Sequence, residues 1–296
     1  MLAEASPFAD RLRRGELLSR HTTWHVGGPA DVYFEPRDRA QLLAFLRALP
    51  EGTPVLWLGL GSNLLVRDGG VRGVVIATGD ALRGLERRSA DEVYVEAGVP
   101  CARLARQCAQ WDLGPAEFFA GIPGTLGGAL AMNAGAFGGE TWPLVATVET
   151  VDAAGAVRLR AAAEYRSRYR HVESPAPGEW FLSATLRFPG RSSAEATRGW
   201  LERRRQTQPI GGWSCGSVFT NPPGDHAARL IETAGLKGHR IGGAVVSTKH
   251  ANFILNEGTA TALDIEQLIA HVQDVVERHH GVRLHPEVRV VGETLQ

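Results

Sequence analysis

Cysteine is scarce in this 296-residue chain. Cys101, Cys108 and Cys215 are three in all, an odd number with no C-x-x-C pair. That excludes a disulfide framework and a zinc site of the usual spacing, and no metal centre is expected. Excess charge of either sign is also missing, because 32 Lys and Arg balance 32 Asp and Glu. A nucleic-acid binder or a protein of anionic membrane surfaces would carry a basic patch, so neither partner is expected. The apolar run "VLWLGLGSNLLV" is too short and too glycine-rich to span a bilayer. The opening "MLAEASPFADRLRRGE" has no apolar h-region and no cleavage pattern. The expectation is a cytoplasmic protein with reduced thiols.

Glycine, by contrast, is plentiful: 35 residues, well above the usual ~7%. Two segments concentrate it. "LGLGSNLLV" (58–66) runs from a strand into G-x-G-S-N, and "AGIPGTLGGALAMNAGAFGG" (120–139) holds seven glycines. Backbone without Cβ atoms can turn successive N–H groups toward phosphate oxygens, and a helix start adds partial positive charge. Plain turn glycines explain either segment equally well. Neither is a standard nucleotide motif, since the first lacks the third glycine of G-x-G-x-x-G and the second lacks the P-loop lysine. Two such loops on one chain suit a long ligand with a central pyrophosphate, such as a dinucleotide.

Periodicity supplies the elements. "DVYFEP" (31–36), "PVLWLG" (54–59), "DEVYVEAG" (91–98) and "WFLSATLRF" (180–188) read as strands, and "TVETVDAAGAVRLR" (147–160) as a hairpin turning at "DAAG". "RAQLLAFLRAL" (39–49) is an amphipathic helix, and "PCARLARQCAQW" (100–111) opens another at a proline. "PGRSS" (189–193) is a candidate boundary before the helix at 194–206. Helices follow around 226–235 and 261–280, with a buried strand "ANFILN" (251–256) and a closing strand "RLHPEVRVVG" (283–292). The fold class is α+β or mixed α/β.

A more specific pattern emerges from whole blocks. "HTTWHVGGPA" (21–30), "LGLGSNLLVRD" (58–68) and "GIPGTLGGALAMNAGAFG" (121–138), followed by "CGSVFTNPPG", "GGAVVSTKHANFILN" and "HPEVRVVGE", span nearly the whole chain in order. The sequence resembles the UDP-N-acetylenolpyruvoylglucosamine reductase family, in its shorter form. The resemblance implies an α+β protein with a two-lobed FAD-binding region of the vanillyl-alcohol-oxidase (PCMH) type and a smaller substrate-binding domain. Its divisions would be 1–54 and 55–190 for the flavin lobes, 191–285 for the substrate domain, and 286–296 for a strand closing the site. It implies non-covalent FAD, NADPH as co-substrate, a UDP-sugar substrate and a monomer. The cofactor-binding residues it implies are Leu58, Gly59, Gly61, Ser62, Asn63, Leu64, Gly121, Ile122, Pro123, Gly124, Gly127, Gly128, Asn133 and Gly135.

The reaction the family performs sets the demands on the remaining residues. Hydride addition to an enolpyruvyl methylene leaves negative charge on the α-carbon and its carboxylate, which must be balanced before the carbon is protonated. By position Ser217 matches the family's proton donor. Locally it is no hydrolase nucleophile, because Cys215 stands where G-x-S-x-G requires glycine. Glu287 in "HPEVRVVG" matches the catalytic carboxylate, and its role as an acid would need burial to raise its pKa. The arginine of the family's Tyr-Arg-x-Ser pattern has two registers in "EYRSRYRHVE": counting from Gly155 favours Tyr169–Arg170, with Val172 in place of serine, over Tyr165–Arg166. Arg170, Ser217 and Glu287 are the expected catalytic set, with Tyr169, Asn221 and His250 against substrate. Thr220 replaces the family's usual lysine or arginine, a departure the sequence does not explain. Arg203, Arg204 and Arg205 could meet the UDP pyrophosphate or simply end a helix. The rival readings are an FAD-linked alcohol or hydroxy-acid oxidase on the same scaffold, and a non-catalytic nucleotide-binding module.

Overall fold

The computed structural model describes residues 7–295. Its α-helices are α1 (Arg39–Ala48), α2 (Cys101–Gln110), α3 (Leu126–Met132), α4 (Ala194–Thr207), α5 (Ala227–Thr233) and α6 (Ala262–His280). By packing, the chain forms two compact units, each assembled from separate stretches. Unit 1 takes the chain up to Arg14, Val32–Gly59 and Gly73–Glu202; unit 2 takes Gly15–Asp31, Leu60–Arg72 and everything from Arg203.

Unit 1 is built on a five-stranded antiparallel sheet. Its order is Val157–Ala161, Val145–Val151, Trp180–Arg187, Glu92–Glu96, Leu85–Arg87. Alternation along Trp180–Arg187 sends Leu182, Ala184 and Leu186 into apolar cores. Ser183, on the opposite face, instead donates a 2.5 Å hydrogen bond to Glu149, whose carboxylate Arg39 grips with both guanidinium branches at 2.9 and 3.0 Å. Helix α2 begins one residue later than expected, at Cys101 with Pro100 as its extended N-cap, and buries Cys101, Leu104, Ala105 and Cys108, the i, i+3, i+4, i+7 stripe of an amphipathic helix. Burial pushes the Cys101 and Cys108 thiols up to about 12, so they serve as small core hydrophobes. The strand Val55–Leu58 pairs in parallel with the strand Val71–Ala77, Val55 opposite Val74.

Unit 2 centres on α6. Ala262, Ile265, Leu268, Ile269, Val272 and Val276 are its buried face, packed in one core with Trp24, Val26, Leu65, Cys215, Val218, Phe219 and Val288. The helix start is fully satisfied. Thr261 and Asp264 form a reciprocal capping box, and the two carboxylate oxygens of Asp68 accept from Ala262 N and Leu263 N at 3.0 Å each. Gly281, at φ 66°, closes the other end. Two expected strands are shorter than their apolar runs. Regular pairing covers only Ile254–Asn256 of "ANFILN" and Arg289–Val291 of "RLHPEVRVVG". Pro286 has no N–H for a ladder, and it is held by a single antiparallel bridge to Phe219. Arg289–Val291 then runs parallel to Leu64–Val66.

Candidate active site

In unit 2 backbone pairing brings Val218, the residue after Ser217, against Glu287. Gly216 precedes the serine at φ 84°, a left-handed conformation that disfavours any side chain. Val218 and Phe219 follow, 0% and 2% exposed, and anchor the loop. Glu287 N donates to Val218 O at 2.7 Å, while Thr220 donates to His285 O from both its N (3.0 Å) and its hydroxyl (3.2 Å). Thr220 therefore fastens the Ser217 loop to the segment carrying Glu287, a role for the residue that departs from the family's basic side chain. The buried Cys215 thiol is pushed well above the usual range, first by desolvation and next by the charge of Glu287. Ser217 itself is half-buried.

Asn63 of "LGLGSNLLV" joins this cluster. Its side-chain NH2 donates to Glu287 O at 3.1 Å, and its backbone carbonyl accepts from Arg289 N at 3.1 Å. The glycine of this motif is needed for packing: a Cβ at Gly61, φ 62°, would stand 2.1 Å from His21 O. Ser62 is half-buried beside it and Leu64 opens the strand paired with Arg289. Asn221, expected against substrate, uses its side-chain carbonyl to accept from Ala227 N at 3.0 Å at the start of α5. His250 is half-buried edge-on to Phe253, with its pKa lowered by burial and then by Lys237, and its Nδ1 is buried without a hydrogen-bond partner. Lys249 donates to Arg205 O, and Arg204, its pKa lowered by burial, bonds Gln208 at 2.9 Å.

In unit 1 the second glycine segment folds into three pieces. Glu117–Gly121 is a turn of 3-10 helix, Leu126–Met132 is α3, and Gly135–Ala136 pairs with Gly139–Glu140. Crowding explains some of its glycines: a Cβ on Gly121 would be 2.6 Å from Ala136 Cβ, and one on Gly135 2.2 Å from Gly139 O. Gly128 differs. It is exposed on the first turn of α3, and a Cβ there would meet nothing within 4 Å. Packing gives no reason for that bare face, and it fits the approach of a ligand's flat or phosphate portion. The helix-start reading narrows, because Leu126 N and Gly127 N already donate to Val99 O and Ala97 O. Of the other expected cofactor contacts, Leu58 and Ile122 are buried, Pro123 is exposed and Gly124 O accepts from Cys101 N. Thr125 Oγ1 lies 2.8 Å from where a Gly59 Cβ would be. Asn133, left-handed at φ 48°, spends its amide inside the loop, donating to Glu140 (2.8 Å) and Arg168 O (3.2 Å) and accepting from Trp142 N (3.0 Å).

A hairpin the sequence reading did not foresee, Arg166–Arg168 against His171–Glu173, resolves where the two Tyr-Arg pairs go. Tyr165 is core, its ring tilted against Trp142 and Phe181 at 4.6 and 5.8 Å between centroids, its phenol pushed up to about 12 by burial, and Arg166 beside it is exposed. Tyr169 and Arg170 form the hairpin turn. Arg170 sits at φ 55°, an uncommon conformation for a side chain with a Cβ. Its guanidinium lies 5.1 Å from the Tyr169 ring and donates to Gly135 O (2.8 Å) and Asn133 O (3.4 Å) of the glycine segment. Val172 packs against the core beneath the hairpin, which accounts for an apolar residue there.

Among the described residues no group of three or more His, Cys, Asp or Glu is placed to hold a metal, and no helix is long and apolar enough to cross a membrane. Comparison with known proteins gives the class first. Residues 30–159 match the model of an FAD-binding domain and residues 208–291 that of the UDP-N-acetylenolpyruvoylglucosamine reductase C-terminal domain. The chain is thus an FAD-containing oxidoreductase with the two-domain α+β, PCMH-type fold. It is 58% identical over 296 residues to the UDP-N-acetylenolpyruvoylglucosamine reductase of Alkalilimnicola ehrlichii, with 99% of each chain covered. It is 56% identical to that of Methylococcus capsulatus over 98% of this chain and 96% of the relative. The crystal structure of the Thermus caldophilus enzyme superposes with a TM-score of 0.81 at 35% identity, covering 95% of this chain and 98% of that one. The chain belongs to the UDP-N-acetylenolpyruvoylglucosamine reductase family.

Proposed function

We propose that the protein uses NADPH to reduce the enolpyruvyl group of UDP-N-acetylglucosamine-enolpyruvate to UDP-N-acetylmuramate, a step of peptidoglycan precursor synthesis, with Arg170, Ser217 and Glu287 as its catalytic residues. FAD, when bound, supplies a hydride from N5, and the glycine segments around Gly59–Leu64 and Gly121–Gly135 are the residues that would hold it. Addition to the substrate methylene leaves charge on the α-carbon and its carboxylate. Arg170 answers that charge with a cation that does not titrate, and its planar fork suits a carboxylate. Glu287 polarises the substrate carboxylate or assists the proton transfer, and Ser217 delivers its hydroxyl proton to the α-carbon. Tyr169, Asn221 and His250 are assigned to substrate contact. The observation that carries this reading is the 2.7 Å Glu287 N to Val218 O bond, which places the residue after Ser217 directly against Glu287.

The test separates the two half-reactions under anaerobic conditions. The purified yellow protein should bleach with NADPH and regain its flavin absorbance when the enolpyruvyl substrate is added. Ser217→Ala should keep the first step and slow the second by ~10²–10⁴, the range for losing a proton-transfer group. A reduced flavin indifferent to the enolpyruvyl sugar nucleotide rejects the function; equal loss in both steps rejects the role of Ser217.

A further inference from the structure

Asn252 has no part in the chemistry described above, yet it holds the Ser217 loop from the side opposite Glu287. It is 4% exposed and lies outside the regular strand that begins at Ile254. Its backbone carbonyl accepts from Val218 N at 2.9 Å. Its side-chain carbonyl accepts from Phe219 N at 3.0 Å, and its side-chain NH2 donates to Phe219 O at 2.8 Å. The amide thus does for Phe219 what a neighbouring strand would do, one acceptor and one donor against one residue's N–H and C=O. On the far edge of the same short segment, Val218 O accepts from Glu287 N and Thr220 N donates to His285 O. Ser217 follows the left-handed Gly216, whose absent Cβ would meet nothing within 4 Å. Val218 and Phe219 directly follow Ser217, and among the described residues the Asn252 amide is the side chain that gives this pair both a donor and an acceptor.

We infer that Asn252 is a positioning residue that fixes the Ser217 hydroxyl in register with Glu287 for the proton transfer. The inference rests on the proposed proton-donor role of Ser217. It makes a chemical demand that a packing role would not: one donor and one acceptor at the Phe219 peptide. Aspartate meets the demand only when protonated, because the acid form offers a hydroxyl to Phe219 O and a carbonyl to Phe219 N, while the carboxylate opposes Phe219 O.

The experiment follows flavin reduction by NADPH and reoxidation by the enolpyruvyl substrate in Asn252→Asp, Asn252→Ala, Ser217→Ala and the Asn252→Ala/Ser217→Ala pair. Asn252→Ala should leave flavin reduction within about twofold and slow reoxidation by ~10²-fold, the scale of a misplaced reacting group. The double variant should be no slower than Ser217→Ala alone, since Asn252 acts through that hydroxyl. Burial and the facing carbonyl raise the pKa of the introduced acid, so reoxidation by Asn252→Asp should recover at least tenfold as pH falls from about 8.5 to 6. Wild type run in parallel accounts for Lys249 and His250 on the same segment and for His285 and Glu287 across it. Additive losses, equal loss in both half-reactions, or an Asn252→Asp profile parallel to wild type would each overturn the inference. If Ser217→Ala itself reoxidises normally, the proton-donor reading falls instead. An Asn252→Ala that does not fold leaves the decision to the pH profile of Asn252→Asp.

Discussion

Thr220 donates twice to one carbonyl, His285 O, and Arg170 donates to two, Asn133 O and Gly135 O. Both placements come from tertiary partners far away in sequence, which is why local pattern could name these residues without saying what holds them. For Arg170 the sequence offered two registers, and the difference is physical: Tyr165 is buried among aromatic rings, whereas Tyr169 caps a hairpin and is 47% exposed. We expect Arg170→Ala to slow the substrate half-reaction by ~10²–10³, as for loss of one donor to a developing oxyanion. Arg170→Lys should recover only part, because an ammonium cannot reproduce a planar fork. Anaerobic stopped-flow reoxidation measures both, and Arg166→Ala is the control. A loss confined to Arg166→Ala would transfer the assignment to the other register.

Elements with strong periodicity were legible. Helices α1, α2 and α6 and the strand Trp180–Arg187 lie within a residue or two of their apolar patterns. The helix inside the glycine segment was not, because glycine weakens every helical signal and α3 is supported by the Val99 and Ala97 carbonyls at its first turn. The cap of α6 by Asp68 was likewise invisible, coming from 194 residues away. Asp68→Ala strands two N–H groups and should cost ~1–2 kcal/mol, the upper range for a helix cap, read as a lowered urea midpoint, and Asp68→Asn should recover only part, because its one oxygen can accept from only one of the two N–H groups while its NH2 faces the other. The Arg39 fork gives unit 1 an acid limit. Hydrogen bonds from Arg39, outweighing the opposing effect of burial, lower the Glu149 pKa below its usual value. Its stabilising contribution is therefore complete above an ordinary carboxylate pKa of ~4.3 and disappears as pH falls through the lower folded value. Glu149→Gln should reduce stability at pH 7 while flattening its fall below pH 4, measured by thermal melts across pH. An unchanged slope would remove the fork from acid sensitivity.

At the scale of the whole chain, the six sequence blocks identified a family, but chain order did not reveal how the chain is divided in space. Unit 2 draws Gly15–Asp31 and Leu60–Arg72 into the same packing as the C-terminal third, and no local pattern announces that. All three cysteines are buried within the two units. Native protein at pH 8 should therefore resist alkylation by iodoacetamide and take up three labels only after unfolding, counted by intact mass; rapid native labelling would contradict the burial. The second unit also has a temporal consequence during synthesis. Trp24 is fully buried, its indole N–H donates to Ile254 O at 2.8 Å, and its own carbonyl accepts from Asn256 at 2.8 Å. Those partners are 230 and 232 residues later in the chain, which at ribosomal rates is a delay of roughly 10–50 s. Throughout that interval Trp24 is outside the ribosome without these partners, so the core it shares with Val26 and Leu65 closes only after Ile254 and Asn256 have been made.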